Sequence, residues 1–196
     1  MDINYYSNFE SYSGIKLLRI KGLRKIKKYY CRHMVEYGNK SEFSDAGYLS
    51  SRNTEYEFYR IIDEQDNKDV GFIVLYDIDN INKNACAGGA IFDSDMAEQY
   101  FSRAMITLIK IAFLKRGLYK VYIKTLENDE RLCQFWYKFE FRTENFLRRH
   151  VYRNGEFQNL RIFSLLVNEY FHMHYKSFNA DVICERFDRQ QEENNE

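Results

Sequence analysis

Two hydrophobic periods alternate along the chain, and the switches between them mark its elements. Strand-like runs of β-branched and aromatic residues predict strands at Ile15–Ile20, Tyr56–Ile62 and Val70–Ile78, the last two joined as a hairpin by EQDNKD. Gly22 to Tyr37 predicts a turn into a helix, with Leu23, Ile26, Tyr30 and Met34 as its stripe and Lys25, Lys28 and Arg32 largely off it. Lys40 to Asn53 is polar and loop-like. Lys83 to Phe92 reads as a further strand, in which Gly88-Gly89 points to a bulge or a close backbone approach. Glu98–Lys115 is the longest predicted helix, with Phe101, Ala104, Met105, Leu108 and Ala112 as its stripe and Gly117 as its stop. Leu118 to Thr125 alternates, Val121 and Ile123 on one face and Tyr122 and Lys124 on the other. Leu132, Phe135, Trp136 and Phe139 then recur at i, i+3, i+4, i+7, a helix over Glu130–Phe139 with Asp129 placed to cap it. Phe141–Tyr152 and Glu156–Val167 flank Asn154-Gly155, a strong hairpin signal. Asn168 to Ser177 reads as a short helix, and RQQEENNE as a polar tail.

Hairpin strands, then strand, long helix, strand, helix and hairpin make an α+β fold with a mixed sheet. No repeat or linker interrupts the order, so residues 1–188 are expected as one domain and 189–196 as tail. A chain of 196 residues is long enough for a real core, and its aromatic content of 17% excludes disorder for the bulk of it. The 29 Lys and Arg balance 29 Asp and Glu, which argues against a nucleic-acid protein held by phosphate neutralisation. No apolar run is long enough to span a bilayer, and MDINYYSNFE has neither a cationic nor an apolar leader region, so a cytoplasmic protein without a membrane partner is expected. Cys31, Cys86, Cys133 and Cys184 are far apart, with no CxxC, and are expected as reduced thiols. His172 and His174 lack a third ligand, so no metal is expected. The basic run LRKIKKYYCRH reads as a solvated helix face, with an anion site as the alternative.

Three stretches carry a family resemblance. They are VGFIVLYDIDNINKNACAGGAIFD, AFLKRGLYKVYIKTLEN, and Leu126 to Leu166 with its His150-Val151-Tyr152-Arg153-Asn154-Gly155 hairpin. In order and spacing they resemble the GNAT superfamily of acyl-CoA N-acyltransferases over Asp69 to Leu166, and most of all its ribosomal-protein and nucleotide-amino-sugar N-acetyltransferases. The resemblance implies an acyl-CoA N-acyltransferase-like three-layer fold, a mixed, mostly antiparallel sheet with helices on both faces. It also implies acetyl transfer from acetyl-CoA to a primary amine, such as a nucleotide-linked amino sugar or a protein N-terminus. A homodimer is compatible with it.

Such chemistry needs a splayed strand for the pantetheine arm, here Gly89 to Asp93 with Ile91 and Phe92 beside the cofactor. It needs free N–H groups at the start of the long helix for the pyrophosphate, where the helix dipole also favours anions. That places cofactor contacts at Gln99, Tyr100, Phe101, Ser102 and Arg103, with Asn128 on the second helix's approach. The family's loop glycines are absent from Met96–Phe101, and Glu98 adds negative charge. An acid is needed for the departing thiolate. Tyr137 is the only tyrosine in the second helix, although an ungapped match puts Trp136 at the family tyrosine and Asp129 at the motif asparagine. Glu140 replaces the usual glycine, and Asn159 a common aspartate. Asp77, Asp79, His150 and Glu127 are conceivable bases. The same departures support an alternative, a catalytically degenerate GNAT-fold binding or assembly protein.

Overall fold

The computed structural model describes residues 14–22, 24–26, 28–29, 55–92, 96–153 and 155–174. The expected loop Lys40 to Asn53, the second half of the first helix, Asp93, Asn154, Cys31, Cys184 and the polar tail lie outside the described residues. Seven strands occur among them, and they fall into two compact units.

The first unit comprises the described residues up to Asp79 together with Ala85–Ala112. β1 (Ile15–Ile20) pairs antiparallel with β2 (Glu55–Asp63), Ile15 opposite Asp63 and Ile20 opposite Phe58. β2 pairs antiparallel with β3 (Lys68–Asp79), with register shifts at Glu55/Glu57 and Ile61/Ile62. Near the first shift Asp77 adopts a φ of 51°, the local kink that an extra residue imposes on a strand. Val70 to Tyr76 is buried throughout, which explains why β3 reads as an unbroken apolar run instead of an alternating one. β4 (Asn84–Ile91) lies on the other side of β3. A Cβ on Gly89 would stand 2.4 Å from the Phe72 carbonyl oxygen, and one on Gly71 would stand 2.3 Å from that of Ala90. The expected close approach is therefore between β3 and β4, and any side chain at Gly89 would part them.

Residues 24–26 and 28–29 are helical, as the first stripe predicts, and Ile26 is fully buried. α1 (Ala97–Lys110) buries Ala104, Met105, Leu108 and Ile109 and packs on β1 and β3. The expectation of one uniform helix to Lys115 needs correction, because Ile111–Lys115 continues as a π-type turn. Ile111, Ala112 and Phe113 are all buried there, and the wider turn coincides with three consecutive inward side chains.

The second unit comprises Asn80–Asn84 and the described residues from Phe113 on. The Lys83 carbonyl accepts from the N–H of Tyr119 and of Lys120, at 2.6 and 3.1 Å. β5 (Lys120–Leu126) pairs antiparallel with β7 (Glu156–Leu166), Lys120 opposite Leu166 and Leu126 opposite Leu160. β6 (Arg142–Arg153) pairs with the other edge of β7, with irregularities at Thr143/Asn145 and Leu147/Val151. Gly155, at a φ of 84°, stands in the expected hairpin turn.

α2 (Glu130–Lys138) begins as predicted, the Asp129 carboxylate accepting from the Leu132 N–H at 2.9 Å. It ends in a Schellman turn: Phe141 N–H bonds the Trp136 carbonyl, and Glu140 N–H that of Tyr137, both at 3.0 Å. Glu140 holds the left-handed position with a φ of 62°, so the family's glycine is missing where it would be easiest to accommodate. α3 (Val167–His174) takes up Val167, which periodicity assigned to the preceding strand. The cause is Glu169, whose carboxylate reaches back to the Leu166 N–H at 3.0 Å and pulls the helix start upstream.

Candidate functional site

The expected cofactor residues of the first unit lie at the end of β4 and the start of α1. Ile91 is half-buried. Phe92 is buried, its N–H bonded to the Val70 carbonyl at 2.8 Å and its ring 6.2 Å from those of Tyr29 and Phe72. Its backbone is thus committed to β3. At α1, Met96 occupies the N-cap with no side-chain bond, and Tyr100 N–H returns to the Met96 carbonyl at 3.0 Å. In the first turn, the N–H groups of Ala97 and Gln99 precede that bond and have no partner within the helix. Those of Phe101, Ser102 and Arg103 lie beyond the first turn. The donors a phosphate could use therefore begin earlier than the expected span and overlap it only at Gln99.

The side chains of that turn are occupied too. The Tyr100 phenol donates to Asp63 Oδ2, and Ser102 Oγ donates to the Glu98 carbonyl at 2.6 Å. Asp63 also accepts from Gln65 N–H at 2.8 Å. The Tyr100 bond first, then those backbone donors and the nearby Arg103 charge, hold the Asp63 carboxyl below its ordinary range. Gln99 is exposed. Sequence reasoning missed Asp63, and a tyrosine 37 positions away is no local signal.

A second polar group was also missed. Asp69 receives Nε and Nη2 of Arg60, at 2.8 and 2.5 Å, and its Oδ1 lies 2.8 Å from the Tyr29 hydroxyl. Burial foremost, and then Asp69, push the Tyr29 phenol far above its ordinary range. The group ties the first helical turn to β2 and β3.

In the second unit, Asn128 is exposed in the turn after β5. Tyr137 is 43% exposed, with its ring edge-on to Phe163. Its hydroxyl lies 2.9 Å from Thr143 Oγ1 on β6 and accepts from Arg161 Nη1 of β7 at 3.3 Å. The guanidinium of Arg161 stacks over Phe146, 4.9 Å from the ring centre. Trp136, at the position matched to the family tyrosine, is only 2% exposed, and its indole N–H donates to Thr125 Oγ1 on β5 at 2.8 Å. One residue of helix separates the two, about 100° of rotation. Trp136 therefore faces β5 while the Tyr137 phenol faces β6 and β7.

Of the conceivable bases, Asp77 and Asp79 are half-buried on β3, His150 is exposed, and Glu127 is half-buried with Asn159 Nδ2 donating to its Oε2 at 2.7 Å. Among the described residues no three His, Cys, Asp or Glu side chains could hold a metal ion together. None of the described helices is long and apolar enough to cross a membrane.

No family model matches the sequence, and no curated protein matches it. Solved structures do resemble the fold. A mutant form of the spermidine/spermine N-acetyltransferase SpeG from Vibrio cholerae is 16% identical, with a TM-score of 0.67 over 83% of this chain and 99% of that one. SpeG in complex with manganese ions is 18% identical, at 0.63 over 82% and 97%. A dodecameric spermidine N-acetyltransferase from the same organism is 15% identical, at 0.62 over 85% and 100%. At such identities the likeness shows the fold alone. The chain has the α+β fold of GNAT acyltransferases, a mixed, mostly antiparallel arrangement of seven strands with helices.

Proposed function

We propose that this chain is an acetyl-CoA-dependent N-acetyltransferase acting on a primary amine. The likeness to spermidine N-acetyltransferases along nearly their whole length carries the proposal. The three stretches of GNAT-like sequence support it independently. In this reading acetyl-CoA follows Ile91 and Phe92 and sets its pyrophosphate at the start of α1, on the first-turn N–H groups up to Gln99, with Tyr100, Phe101, Ser102 and Arg103 of the next turn adding side-chain surface and, at Arg103, positive charge. Asn128 adds a contact on the approach to α2. Tyr137 gives its proton to the departing thiolate, and the Arg161 guanidinium beside it stabilises the phenolate left behind. The neighbours' acceptor adds a polyamine to the amines considered, beside a nucleotide-linked amino sugar and a protein N-terminus. One neighbour is dodecameric, which supports self-association, a homodimer being its simplest form.

The glycine-free start of α1, with Glu98 in its first turn, favours a second reading, a GNAT-fold binding or assembly protein without turnover. Thermal melting with millimolar acetyl-CoA, followed by coenzyme A release with spermidine, a nucleotide-linked amino sugar or a peptide amine, separates the two. A ligand that binds the native state raises its melting point by mass action. A rise with acetyl-CoA plus turnover on any amine is expected. No rise and no turnover would leave the binding protein as the better account.

A further inference from the structure

Asn159 stands on β7 where three elements of the second unit meet. Its Nδ2 donates to Glu127 Oε2 in the turn after β5, at 2.7 Å. Its Oδ1 accepts from the Arg149 N–H of β6, also at 2.7 Å. Its main-chain carbonyl accepts from the Glu127 N–H at 3.0 Å. Arg149 has a φ of 48° within the irregular stretch between Leu147 and Val151, so that kink of β6 is shaped to present its N–H to one side chain. Glu127 is thereby held at main chain and carboxylate together, and its Oε1 has no hydrogen-bond partner among the described residues.

The residue type matters. An asparagine supplies a donor to Glu127 and an acceptor to Arg149 at once. The aspartate common at this position in the resembled family would supply only acceptors, and would set two carboxylates against each other. The surrounding charges are mixed: Asp129 and Glu130 from the turn and α2 share the neighbourhood of Cys133 with Glu127, and Arg161 enters it from β7.

We propose that Glu127 takes the proton of the acceptor ammonium and that Asn159 is the positioning residue that aims it. The proposal rests on the acetyltransferase reading. Glu127 Oε1 accepts one proton from R–NH3+, leaving the free amine. The amine nitrogen attacks the thioester carbonyl, the C–N bond forms and the C–S bond breaks. The second nitrogen proton goes to the thiolate through the acid, giving R–NH–acetyl and coenzyme A thiol. Glu127 then returns its proton to solvent.

Steady-state kinetics of wild type, Glu127→Gln and Asn159→Asp, with acetyl-CoA and whichever of spermidine, a nucleotide-linked amino sugar or a peptide amine turns over, test it. Glu127→Gln keeps an acceptor for Asn159, so the fold is retained, and thermal melting verifies this. Its kcat/KM for the amine should fall by about a hundredfold near pH 7, with KM for acetyl-CoA unchanged. The deficit should shrink as the pH approaches the amine's own pKa, where free amine no longer needs a base. Asn159→Asp should move the acid limb of kcat/KM to higher pH, because a second carboxylate opposes ionisation of the first. An active wild type whose Glu127→Gln variant keeps its rate, or loses it equally at every pH, overturns the assignment alone. A wild type that turns over no amine overturns the acetyltransferase reading and the assignment with it.

Discussion

Trp136 and Tyr137 are neighbours in sequence with opposite fates. The apolar stripe predicts a buried Trp136, and the structure bears this out, adding a bond to Thr125 that no local pattern announces. Trp136→Phe removes ring volume and strands the buried Thr125 hydroxyl. Urea unfolding should show a loss of about 1–3 kcal/mol. Tyr137→Phe removes only a hydroxyl with two partners, so the fold should survive. If that phenol is the acid, kcat should fall roughly ten- to a thousandfold, overlapping the lower part of the usual range for acid–base catalysis. Wild-type turnover by Tyr137→Phe would exclude tyrosine acid catalysis from this helix, leaving water or backbone dipoles to stabilise the thiolate.

At the scale of elements, the two ends of α2 differ in how well their residues suit them. Asp129 is a good N-cap and behaves as one. Glu140 sits in the left-handed position of an otherwise complete Schellman turn. A side chain there costs about 1–2 kcal/mol of local strain, partly offset by the greater freedom glycine has when unfolded. Glu140→Gly should therefore raise stability by about 0.5–1 kcal/mol in denaturant melts, with no change in the far-ultraviolet spectrum. An unchanged or lowered midpoint would mean that the Glu140 side chain contributes contacts that outweigh the strain. The hairpin about Gly155 and the stripe of α1 were similarly legible, whereas the π-type turn after Lys110 was not. Side-chain spacing over five residues cannot separate two helical pitches that bury the same face.

For the molecule as a whole, acid is a telling stress. The Asp63 carboxyl is held low by the Tyr100 phenol and by backbone donors. The unfolded chain lacks those bonds and binds a proton at the ordinary carboxylate value, near pH 4. Below that pH the unfolded state takes up a proton that the folded state refuses, so the stabilisation is present above pH 4 and is lost as the pH falls. Urea midpoints measured from about pH 6 down to about pH 3 should decline, and Asp63→Asn should flatten part of the decline. A variant with an unaltered slope would show that other carboxylates carry it.

The strands, the two main helices, the hairpin and the GNAT-like order of elements are all legible in the chain alone. Each of these depends on a period of two or 3.6, on caps, or on turn residues within a few positions. The sequence also singled out Asp129 and Trp136 correctly, because both roles are local. That Tyr100 reaches Asp63, that Asp69 joins Arg60 to Tyr29, and that Asn159 holds Glu127 emerge only in the folded chain. The same holds for the start of α1, where backbone bonding sets which N–H groups stay unpaired. Long-range polar partners are chosen by strand register and by the direction of each side chain, and a one-residue shift would exchange every face. Chain spacing carries no record of that choice.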